Sequence, residues 1–355
     1  MGMPDKSLTE EQERIAEAVR DFVTTASPGD FFVIQGLAGT GKTTLMTSLD
    51  LPGAVLVAPT GKAASVLRAK SDRDAMTIHS AIYNFCGTKT DENGKLVPIF
   101  VDKDFVSLPL VLLDESSMVG QSLATDLLAT GAVVVAFGDP GQLPPVKDRQ
   151  FFNSPDATLR EIHRQALDSP IIRQAHRIRN GERAVTDGDG FVCLPSSRGL
   201  DLTSFGIVLC WTNKTRTALN SIIRKAKGIE GPSLFPGEPV MCLRNDYARG
   251  IFNGEIYRVA KERAPGTTLW LEGGSVIPKA KVERFDGDFD KEDDETTPFA
   301  LAYASTCHKF QGSEEERVLV FDEMGSDRQE RARWLYTAVT RARSHVTVVR
   351  PEDWG

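Results

Sequence analysis

The sequence contains no run of eighteen apolar residues, the length a membrane-spanning helix needs, although 41% of its 355 residues are hydrophobic. The stretch MGMPDKSLTEEQ at the start of the sequence has neither the apolar core of a signal peptide nor a twin-arginine pair. Lys6 stands where a myristoylation motif has Ser or Thr. We therefore expect a cytoplasmic protein that has no membrane partner.

Cysteine is scarce, and its spacing excludes two further classes of protein. The chain has 5 cysteines, an odd number, and no two of them are spaced as CxxC. This pattern does not fit a disulfide framework or a zinc site. We expect the cysteines to behave as small buried hydrophobic residues.

The net charge of -7 does not by itself suggest a nucleic-acid-binding protein. Residues 286–295, however, contain seven acids and one lysine, so the rest of the chain is close to neutral and leaves room for a local basic groove. The aspartates of this segment have EF-hand spacing, but Lys291 replaces the turn glycine and Thr297 the closing glutamate. A solvated acidic loop is the interpretation we favour.

Short, continuously apolar runs recur in the first part of the chain, each followed by a turn and a helical pattern. Continuous apolarity is typical of parallel strands that are covered on both faces, which predicts an α/β fold with flanking helices. A helix with Ile15, Ala16, Val19, Phe22 and Val23 on one face precedes these runs. The predicted strands are FFVIQ (31–35), AVLVA (54–58), PLVLL (109–113) and AVVVAF (132–137).

The same pattern resumes after a region rich in Gly and Pro, which indicates a second α/β lobe beyond a hinge. Its predicted strands are GIVLC (206–210), ALAYA (300–304), RVLVF (317–321) and HVTVV (345–349). Short strand-like pieces in 229–299 predict a small β-barrel insertion, and DENGK within 83–106 predicts a β-hairpin. The expected domains are 1–160, then 161–228 together with 300–355, and the insertion 229–299.

The stretch GLAGTGKT (36–43) matches a P-loop and lies between a predicted strand and a predicted helix, the context this motif requires. Backbone N–H groups of such a loop surround phosphate oxygens, Lys42 adds a charge for the β- and γ-phosphates, and Thr43 is a magnesium ligand. The expected nucleotide contacts in this region are Gly36, Ala38, Gly39, Thr40, Gly41, Lys42, Thr43 and Thr44.

Four other residues extend this prediction, each with a structural alternative. Asp114 and Glu115 end a predicted strand, where Asp114 can hold Mg²⁺ and Glu115 can orient or deprotonate the attacking water; strand-end acids in solvent are the alternative. Gln142 in GDPGQLPP can sense a γ-phosphate, or its loop can be simply a turn. Gln12 can contact adenine, or complete a capping box with Thr9.

Taken together, ten motifs in one order resemble those of superfamily-one DNA helicases, in particular the branch of RecD and the phage Dda helicase. The resemblance covers about residues 8–349. It implies two RecA-like lobes with ATP between them. The motifs are Gln12, GLAGTGKT (36–43), APTGKAA (58–64), TIHS (77–80), LLDESSM (112–118), GDPGQLPPV (138–146), REIHRQ (160–165), CWTNKT (210–215), STCHKFQGSE (305–314) and LYTAVTRA (335–342).

The resemblance assigns roles to residues far from the P-loop. Arg341 of the last motif is similar to an arginine that reaches the γ-phosphate from the second lobe, and Arg164 to a second such finger. An arginine of this kind neutralises charge in the transition state. An exposed cationic helix end is the alternative, and it suits Arg343 better. Gly312 and Glu314 are also expected next to the nucleotide.

For DNA, the resemblance implies contacts from both lobes. Phe85 or Phe100 in the 83–106 insertion would stack on a base as part of a separation pin, unless the hairpin packs these rings inward. The 229–299 insertion is similar in position to an SH3-like module, and the acidic loop should point away from the DNA. The expected strand contacts are Thr60, Lys62, His79, Thr212, Asn213, His308 and Lys309, of which Thr60 and Asn213 can equally be helix caps.

The expected function is that of an ATP- and Mg²⁺-dependent single-stranded DNA translocase that unwinds duplex DNA with 5'–3' polarity, the polarity coming from the resemblance alone. A monomer acting on forked DNA, with possible replication or recombination partners, is expected. An RNA-directed helicase is the nearest alternative, because no residue clearly reads a 2'-hydroxyl. A P-loop kinase or a nucleotide-switched binding protein that does not unwind DNA is the alternative from another class.

Overall fold

The computed structural model describes residues 8–71, 73–90, 96–102, 109–145, 148–246, 249–286, 296–323 and 327–350, with the backbone alone at 85, 87–90, 96–102, 164 and 165. The helices are α1 (Glu10–Thr25), α2 (Lys42–Ser48), α3 (Gly61–Ser71), α4 (Ile78–Ile82), α5 (Gln121–Ala129), α6 (Arg164–Leu167), α7 (Pro170–Arg179), α8 (Asn213–Ala226) and α9 (Arg328–Val339). Short 3₁₀ turns are at Ser116–Met118, Leu202–Ser204 and His308–Phe310.

The strands of the described residues are numbered in chain order. They are β1 (Phe31–Gly36), β2 (Ala54–Ala58), β3 (Ala75–Thr77), β4 (Tyr83–Thr90), β5 (Leu96–Asp102), β6 (Leu110–Leu113), β7 (Val133–Gly138), β8 (Ala157–Leu159), β9 (Phe191–Leu194), β10 (Ile207–Cys210), β11 (Pro239–Cys242), β12 (Ile256–Arg258), β13 (Leu269–Trp270), β14 (Val276–Ile277), β15 (Ala280–Val282), β16 (Thr297–Leu301), β17 (Ala304–Thr306), β18 (Glu315–Phe321) and β19 (Ala342–Val349).

A parallel sheet in the order β3-β2-β6-β7-β1-β8 forms the first lobe. Its strands are apolar on both faces because helices cover both. Ile15 and Val19 of α1 pack on one face together with Leu45 of α2, and α4 and α5 cover the other face. The expected parallel α/β arrangement is confirmed here, and β3 and β8 are short edge strands that the apolar pattern does not reveal.

The second lobe contains a parallel sheet in the order β17-β10-β18-β19-β9. Helices α7 and α9 cover one face, where Trp334 and Tyr336 are fully buried. Helix α8 covers the other face through Leu219 and Ile223. Each lobe therefore places the carboxyl ends of its parallel strands at one edge, where the connecting loops can carry functional residues.

A smaller sheet in the order β12-β11-β16-β15 lies within the insertion. It has its own core, which includes Leu234, Val259 and Phe299. Arg224 of α8 ties it to the second lobe by an ion pair of 2.7 Å with Glu238. The β4 and β5 backbones pair antiparallel between α4 and β6.

The prediction that ALAYA (300–304) is a single strand is wrong. The chain ends β16, which pairs with β11, at Leu301 and begins β17, which pairs with β10, at Ala304. The N–H of Ala302 still bonds to Pro239 O in the insertion (2.9 Å), whereas Tyr303 O already accepts Val208 N–H of the second lobe (3.0 Å). An apolar run therefore crosses between two sheets, which hydrophobicity alone cannot show.

The interpretation of 286–295 as a solvated loop is wrong at its first residue. The side chain of Asp286 is 1% exposed and lies 2.9 Å from the guanidinium of Arg263, which is itself fully buried. The same carboxylate accepts the N–H groups of Gly266 and Val282, both at 2.5 Å. Asp286 therefore holds the insertion together; residues 287–295, and with them the expected direction of the loop, lie outside the described residues.

The two lobes share part of one core. Leu143, from the loop after β7 of the first lobe, is buried among second-lobe residues of α7 and α9. Its N–H donates to Thr337 Oγ1 (3.0 Å), and its carbonyl oxygen accepts from Gln311 Nε2 (3.0 Å). Among the residues that the structure describes, no helix combines the length and apolarity needed to span a membrane.

Candidate nucleotide site and nucleic-acid interface

Residues from three strand ends of the first sheet meet at its carboxyl edge. The P-loop follows β1, Asp114 follows β6, and Gln142 follows β7; these strands are neighbours in the sheet order. The register pairs Gln35 with Gly138, which brings the P-loop beside the GDPGQ loop. The three motifs follow different strands in the chain, and the parallel pairing of β6, β7 and β1 makes them adjacent in space.

The P-loop requires glycine where the loop turns into α2. Gly41 has φ +76°, a conformation unfavourable for residues with a Cβ, and an added Cβ would lie 2.4 Å from Gln12 Nε2 and 2.5 Å from His163 Nε2. His163 N–H also donates to Gly39 O (3.1 Å). The loop is thus held from both sides, with Thr40 Oγ1 donating to Leu37 O (2.8 Å).

The ammonium of Lys42 is folded back onto its own loop. It donates to Gly36 O (2.6 Å) and Leu37 O (3.1 Å) and lies 3.7 Å from Asp139 Oδ2. Asp139 is almost fully buried, and its other oxygen accepts Gly141 N–H (2.8 Å). The lysine side chain is 15% exposed, and it lines the cavity between the lobes.

Asp114 and Glu115 are in different environments although they are adjacent. Burial and the adjacent Glu115 carboxylate raise the pKa of Asp114 to about 6, against the opposing effects of the Glu115 N–H and of Lys42 and Lys70. Asp114 Oδ1 accepts the N–H of Glu115 (2.9 Å). Glu115 itself has φ 50° and ψ 41°, a left-handed conformation rare for a side-chain-bearing residue and common at functional sites.

Arg341 lies inward, in the turn between α9 and β19. Its guanidinium is 6% exposed and lies 3.9 Å from Glu115 Oε1 of the first lobe. It donates to Thr337 O (3.1 Å) and, more weakly, to Ser313 O (3.5 Å) and Thr340 Oγ1 (3.3 Å). A cation from the second lobe therefore faces the carboxylate that follows β6.

A cavity of about 380 Å³ connects these groups. The amide oxygen Oε1 of Gln142 is buried at its wall and has no hydrogen-bond partner among the residues that the structure describes, so it can accept a bond from water or a ligand. Glu314 also lines the cavity but pairs with Lys70 across the lobes at 3.0 Å. The sequence-predicted residues on the wall are Ala38, Gly39, Gly41, Lys42, Thr43, Thr44, Asp114, Glu115, Gln142, Gly312, Glu314 and Arg341.

Gly312 allows the second lobe to approach α3 closely. Its φ is +73°, and an added Cβ would lie 3.0 Å from Ala63 Cβ and 3.2 Å from Thr60 Oγ1. This contact and the Lys70–Glu314 pair join the lobes at the wall of the same cavity.

Gln12 forms the capping box that was one of its two interpretations. Its Oε1 accepts Thr9 N–H (3.0 Å), and its N–H donates to Thr9 Oγ1 (3.3 Å). The Nε2 group lies 3.3 Å from Gly41 O and 3.0 Å from His163 Nε2. Arg164 begins α6 directly after His163, beside the P-loop, and its side chain lies outside the described residues.

The expected strand contacts lie at equivalent edges of the two sheets. In the first lobe, Thr60 and Lys62 follow β2 and His79 follows β3; Ala58 pairs with Thr77. In the second lobe, Thr212 and Asn213 follow β10, whereas His308 and Lys309 follow β17; Cys210 pairs with Thr306. Each sheet thus presents polar residues from one edge strand and from the strand beside it.

Several of these residues also have structural roles. Thr60 Oγ1 accepts Ala63 N–H (3.2 Å), and Thr212, not Asn213, caps α8 by accepting Thr215 N–H (3.1 Å). Asn213 Oδ1 instead accepts Arg216 Nε (3.2 Å). Burial lowers the pKa of both His79 and His308, which favours their neutral forms.

The insertion reaches the first-lobe strand contacts. A Cβ on Gly61 would lie 2.6 Å from Glu255 Oε1 and 2.9 Å from the Phe252 ring. A Cβ on Gly254 would lie 3.2 Å from Lys309 O, so the same turn borders both lobes. The side chains of Phe85 and Phe100, the pin candidates, lie outside the described residues.

A second cavity, about 460 Å³, lies between α8 and the insertion. None of the predicted nucleotide residues lines it. Two of its arginines are already in ion pairs, Arg216 with Glu283 at 2.8 Å and Arg224 with Glu238 at 2.7 Å, and the third, Arg284, donates to Ser221 Oγ (2.9 Å). It is therefore a weaker candidate for an anionic ligand than the cavity at the P-loop.

The donors at the P-loop cavity fit Mg²⁺. Thr43, Asp114 and Glu115 present oxygen atoms on its wall. Within the described ranges, no group of three or more His, Cys, Asp or Glu residues is arranged so that these side chains alone could hold a metal ion. Mg²⁺ commonly takes one or two carboxylates and completes its shell with phosphate and water, which suits this sparse set.

Comparison with known proteins agrees with this geometry. The family described as "AAA domain" matches residues 7–192, more than half of the chain, and "UvrD-like helicase C-terminal domain" matches residues 301–349. The ATP-dependent RecD2 DNA helicase of Deinococcus radiodurans is 30% identical over 95% of this chain and 48% of its own length. The ATP-dependent DNA helicase dda of Enterobacteria phage T4 is 32% identical over 54% of this chain and 51% of its own.

The chain belongs to the AAA-domain family. A Pif1 helicase from Bacteroides, solved in complex with ADP-AlF3 and ssDNA, has the same fold: TM-score 0.60 at 21% identity, covering 97% of this chain and 92% of that one. The chain spans about half the length of the curated relatives it matches.

Several residues of this site do not follow from the sequence. Asp139 lies in the GDPGQLPP loop and Tyr336 in the LYTAVTRA motif, and the sequence assigns neither of them a role. The available signal was chemical: a tyrosine in an otherwise apolar buried segment needs a partner for its hydroxyl. His163 and His176, which both contact the P-loop, had no signal of this kind.

Proposed function

We propose that this chain is an ATP- and Mg²⁺-dependent translocase on single-stranded DNA and a 5'–3' DNA helicase. The observation that carries the proposal is the cavity where Lys42 of the first lobe and Arg341 of the second face one ligand space. Hydrolysis at that place changes what both lobes hold, so it can be converted into movement. The polarity follows the family.

In the proposed reaction, the P-loop N–H groups and Lys42 bind the β- and γ-phosphates. Glu115 orients and deprotonates the attacking water, and the unpartnered Gln142 Oε1 accepts a hydrogen bond from it or reports on the γ-phosphate. Arg341, with Arg164 as the second finger, neutralises the charge that develops in the transition state. Gln12 helps to define the base end of the site.

Thr43 and Asp114 would hold Mg²⁺. When bound, this ion supplies charge neutralisation at the phosphate oxygens. Burial of Asp114 beside Glu115 stores a repulsion that a cation relieves. The residues present therefore favour a divalent ion together with the nucleotide.

The strand contacts from the two lobes, Thr60, Lys62 and His79 in one and Thr212, Asn213, His308 and Lys309 in the other, would grip single-stranded DNA alternately. We assign 1–160 to the first RecA-like domain and 161–228 with 300–355 to the second. The intervening 229–299 is assigned to an SH3-like module, with the sheet switch at 302–303 as its exit. The β4–β5 hairpin would act as the separation pin, with Phe85 or Phe100 stacking on a base at a fork.

The test is strand separation on a fork with a 5' single-stranded tail, measured with ATP and Mg²⁺ and compared with a 3'-tailed fork. We expect unwinding of the 5'-tailed fork only, and hydrolysis stimulated more by poly-dT than by poly-U. Preference for poly-U would replace the DNA assignment with an RNA-directed one. DNA-stimulated hydrolysis without unwinding would reduce the proposal to a translocase or a nucleotide-switched binding protein.

A further inference from the structure

The hydroxyl of Tyr336 contacts the phosphate loop from the second lobe. It accepts the N–H of Ala38 (2.7 Å) and donates to Asp139 Oδ2 (2.7 Å). The same Asp139 oxygen lies 3.7 Å from Lys42 Nζ. One hydroxyl of α9 is therefore bonded to the P-loop backbone and to the carboxylate that pairs with the P-loop lysine.

The carbonyl group of Ala38 is also held by the second lobe. His176 Nε2 of α7 lies 3.0 Å from Ala38 O, at hydrogen-bond distance. Leu37 and Ala38 pack against the core formed by α7 and α9. The backbone of Ala38 thus has both its polar groups bonded to the second lobe, although its chain neighbours belong to the first.

The surroundings of Tyr336 fix the position of its hydroxyl and keep it protonated. Tyr336 is fully buried, and its ring packs on Gly141, where an added Cβ would lie 2.8 Å from Tyr336 Cε1. Burial and the neighbouring Asp139 raise the pKa of Tyr336 well above its ordinary range, so the hydroxyl keeps the proton that it donates. With the ring fixed by packing, the position of α9 relative to the loop is set by these bonds.

Tyr336 and Arg341 lie on one rigid stretch of chain. Arg341 follows α9 after the single turn residue Thr340 and bonds back to Thr337 O (3.1 Å). The geometry points to Tyr336 as a positioning residue: its hydroxyl fastens α9 to the P-loop and so sets the guanidinium of Arg341 against the cavity. This inference rests on the proposed ATP hydrolysis and concerns a residue that does not touch the cavity itself.

The first experiment compares Tyr336→Phe with the wild type in steady-state ATP hydrolysis on single-stranded DNA. We expect kcat to fall about tenfold while KM for ATP changes less than about twofold, because the backbone N–H groups that bind phosphate belong to the first lobe. Tyr303→Phe is the matched control, since it removes another buried tyrosine–carboxylate bond, to Glu238 at 2.9 Å, away from the cavity. Its kcat should equal that of the wild type; an unchanged kcat in Tyr336→Phe would overturn the inference.

A double-mutant comparison separates positioning from general loosening. If Tyr336 acts through Arg341, adding Tyr336→Phe to Arg341→Ala should lower kcat no further. A full additional tenfold loss in the double variant would show that the hydroxyl acts by another route, and would also overturn the inference.

Hydrogen exchange of the nucleotide-free protein tests the contact independently of any activity. The amides of the 36–46 peptide should exchange faster in Tyr336→Phe, by about tenfold at Ala38, and at wild-type rates in Tyr303→Phe. Unchanged exchange would refute the contact. If instead the wild type hydrolyses no ATP while exchange responds as expected, the proposed function fails and the fastening of α9 stands.

Discussion

At the scale of single residues, alanine substitutions of Lys42 and Arg341 are predicted to affect ATP binding and hydrolysis differently, because the two side chains approach one ligand from opposite lobes. Lys42→Ala should abolish turnover. Arg341→Ala should retain nucleotide binding and lower kcat on the order of a thousandfold, since a transition-state charge is left without its partner. Binding of a fluorescent ATP analogue and steady-state hydrolysis measure the two effects.

The control for this comparison is Arg177→Ala, which removes a half-exposed arginine that pairs with Glu182 at 3.2 Å and lies away from the cavity. Its rate should stay within about threefold of the wild type, as for other exposed ion pairs. Loss of nucleotide binding in Arg341→Ala would contradict the assignment of this residue to the transition state.

The raised pKa of Asp114 predicts that the free energy of unfolding depends on pH in metal-free buffer. Because its pKa is raised from 3.8 to about 6, the folded protein holds this proton more tightly than the unfolded chain. The resulting stabilisation is fully present below pH 3.8 and is lost as the pH rises through about 6. Asp114→Asn should therefore be more stable than the wild type at pH 8, by about 1–3 kcal/mol, with the difference vanishing below about pH 4.

Urea denaturation at a series of pH values measures this difference. The exposed Asp50→Asn is the matched control and should follow the wild type throughout. Parallel stability curves for Asp114→Asn and the wild type would mean that the buried carboxylate carries no such cost.

The sequence predicted residues whose chemistry is local and missed those whose role depends on a distant partner. Lys42 and Asp114 are recognisable because glycines or a strand end surround them in the chain. Tyr336 is 298 positions from Ala38, its hydrogen-bond partner, and nothing near it in the chain indicates where the partner of its hydroxyl lies. Gln12 shows a third case, since one amide both completes a local cap and contacts the P-loop.

At the scale of elements, the loop after β7 is predicted to couple the lobes through Leu143. Leu143→Ala removes a buried side chain from the second-lobe core, at a cost of about 2–5 kcal/mol. Because Gln142 is the residue next to Leu143 in the chain, kcat should fall further than the loss of folding stability alone would cause. Leu127→Ala is the control: it opens a cavity inside the first lobe and should reduce stability similarly with less effect on kcat.

Urea denaturation and ATP hydrolysis, both well below the unfolding temperature, measure the two quantities for this pair of variants. Equal losses of kcat in Leu143→Ala and Leu127→Ala would show that the loop after β7 contributes core packing and does not couple the lobes.

Long central strands were predicted well because burial on both faces leaves an apolar run, as in β1, β2, β6 and β7. Short edge strands such as β3 and β9 leave no such run, and their pairing is decided by neighbours in space. The division of 300–304 between β16 and β17 has the same origin. Hydrophobicity reports that a segment is buried but not which sheet buries it.

At the scale of the whole molecule, the placement of the two lobes depends on contacts that are not local in the chain. The backbone carbonyl of Leu143 bonds to Gln311, which is 168 residues away in the chain, and Lys70 pairs with Glu314, which is 244 residues away. Gly312 likewise approaches the first lobe at Ala63. No periodicity encodes such pairs. The order of motifs implied two lobes, and the resemblance implied the cleft.

A nucleotide bound in this cleft is predicted to protect both lobes at once. With a non-hydrolysable ATP analogue and Mg²⁺, hydrogen exchange should slow by more than about twofold both in 36–46 and in 312–343, since ligand contacts in each lobe suppress local opening. In Arg341→Ala the first segment should keep its protection while the second loses most of it, because the ligand then bridges the lobes through fewer contacts. Wild-type protection confined to 36–46 would mean that the second lobe does not grip the nucleotide, and the step from hydrolysis to movement along a strand would lose its physical basis.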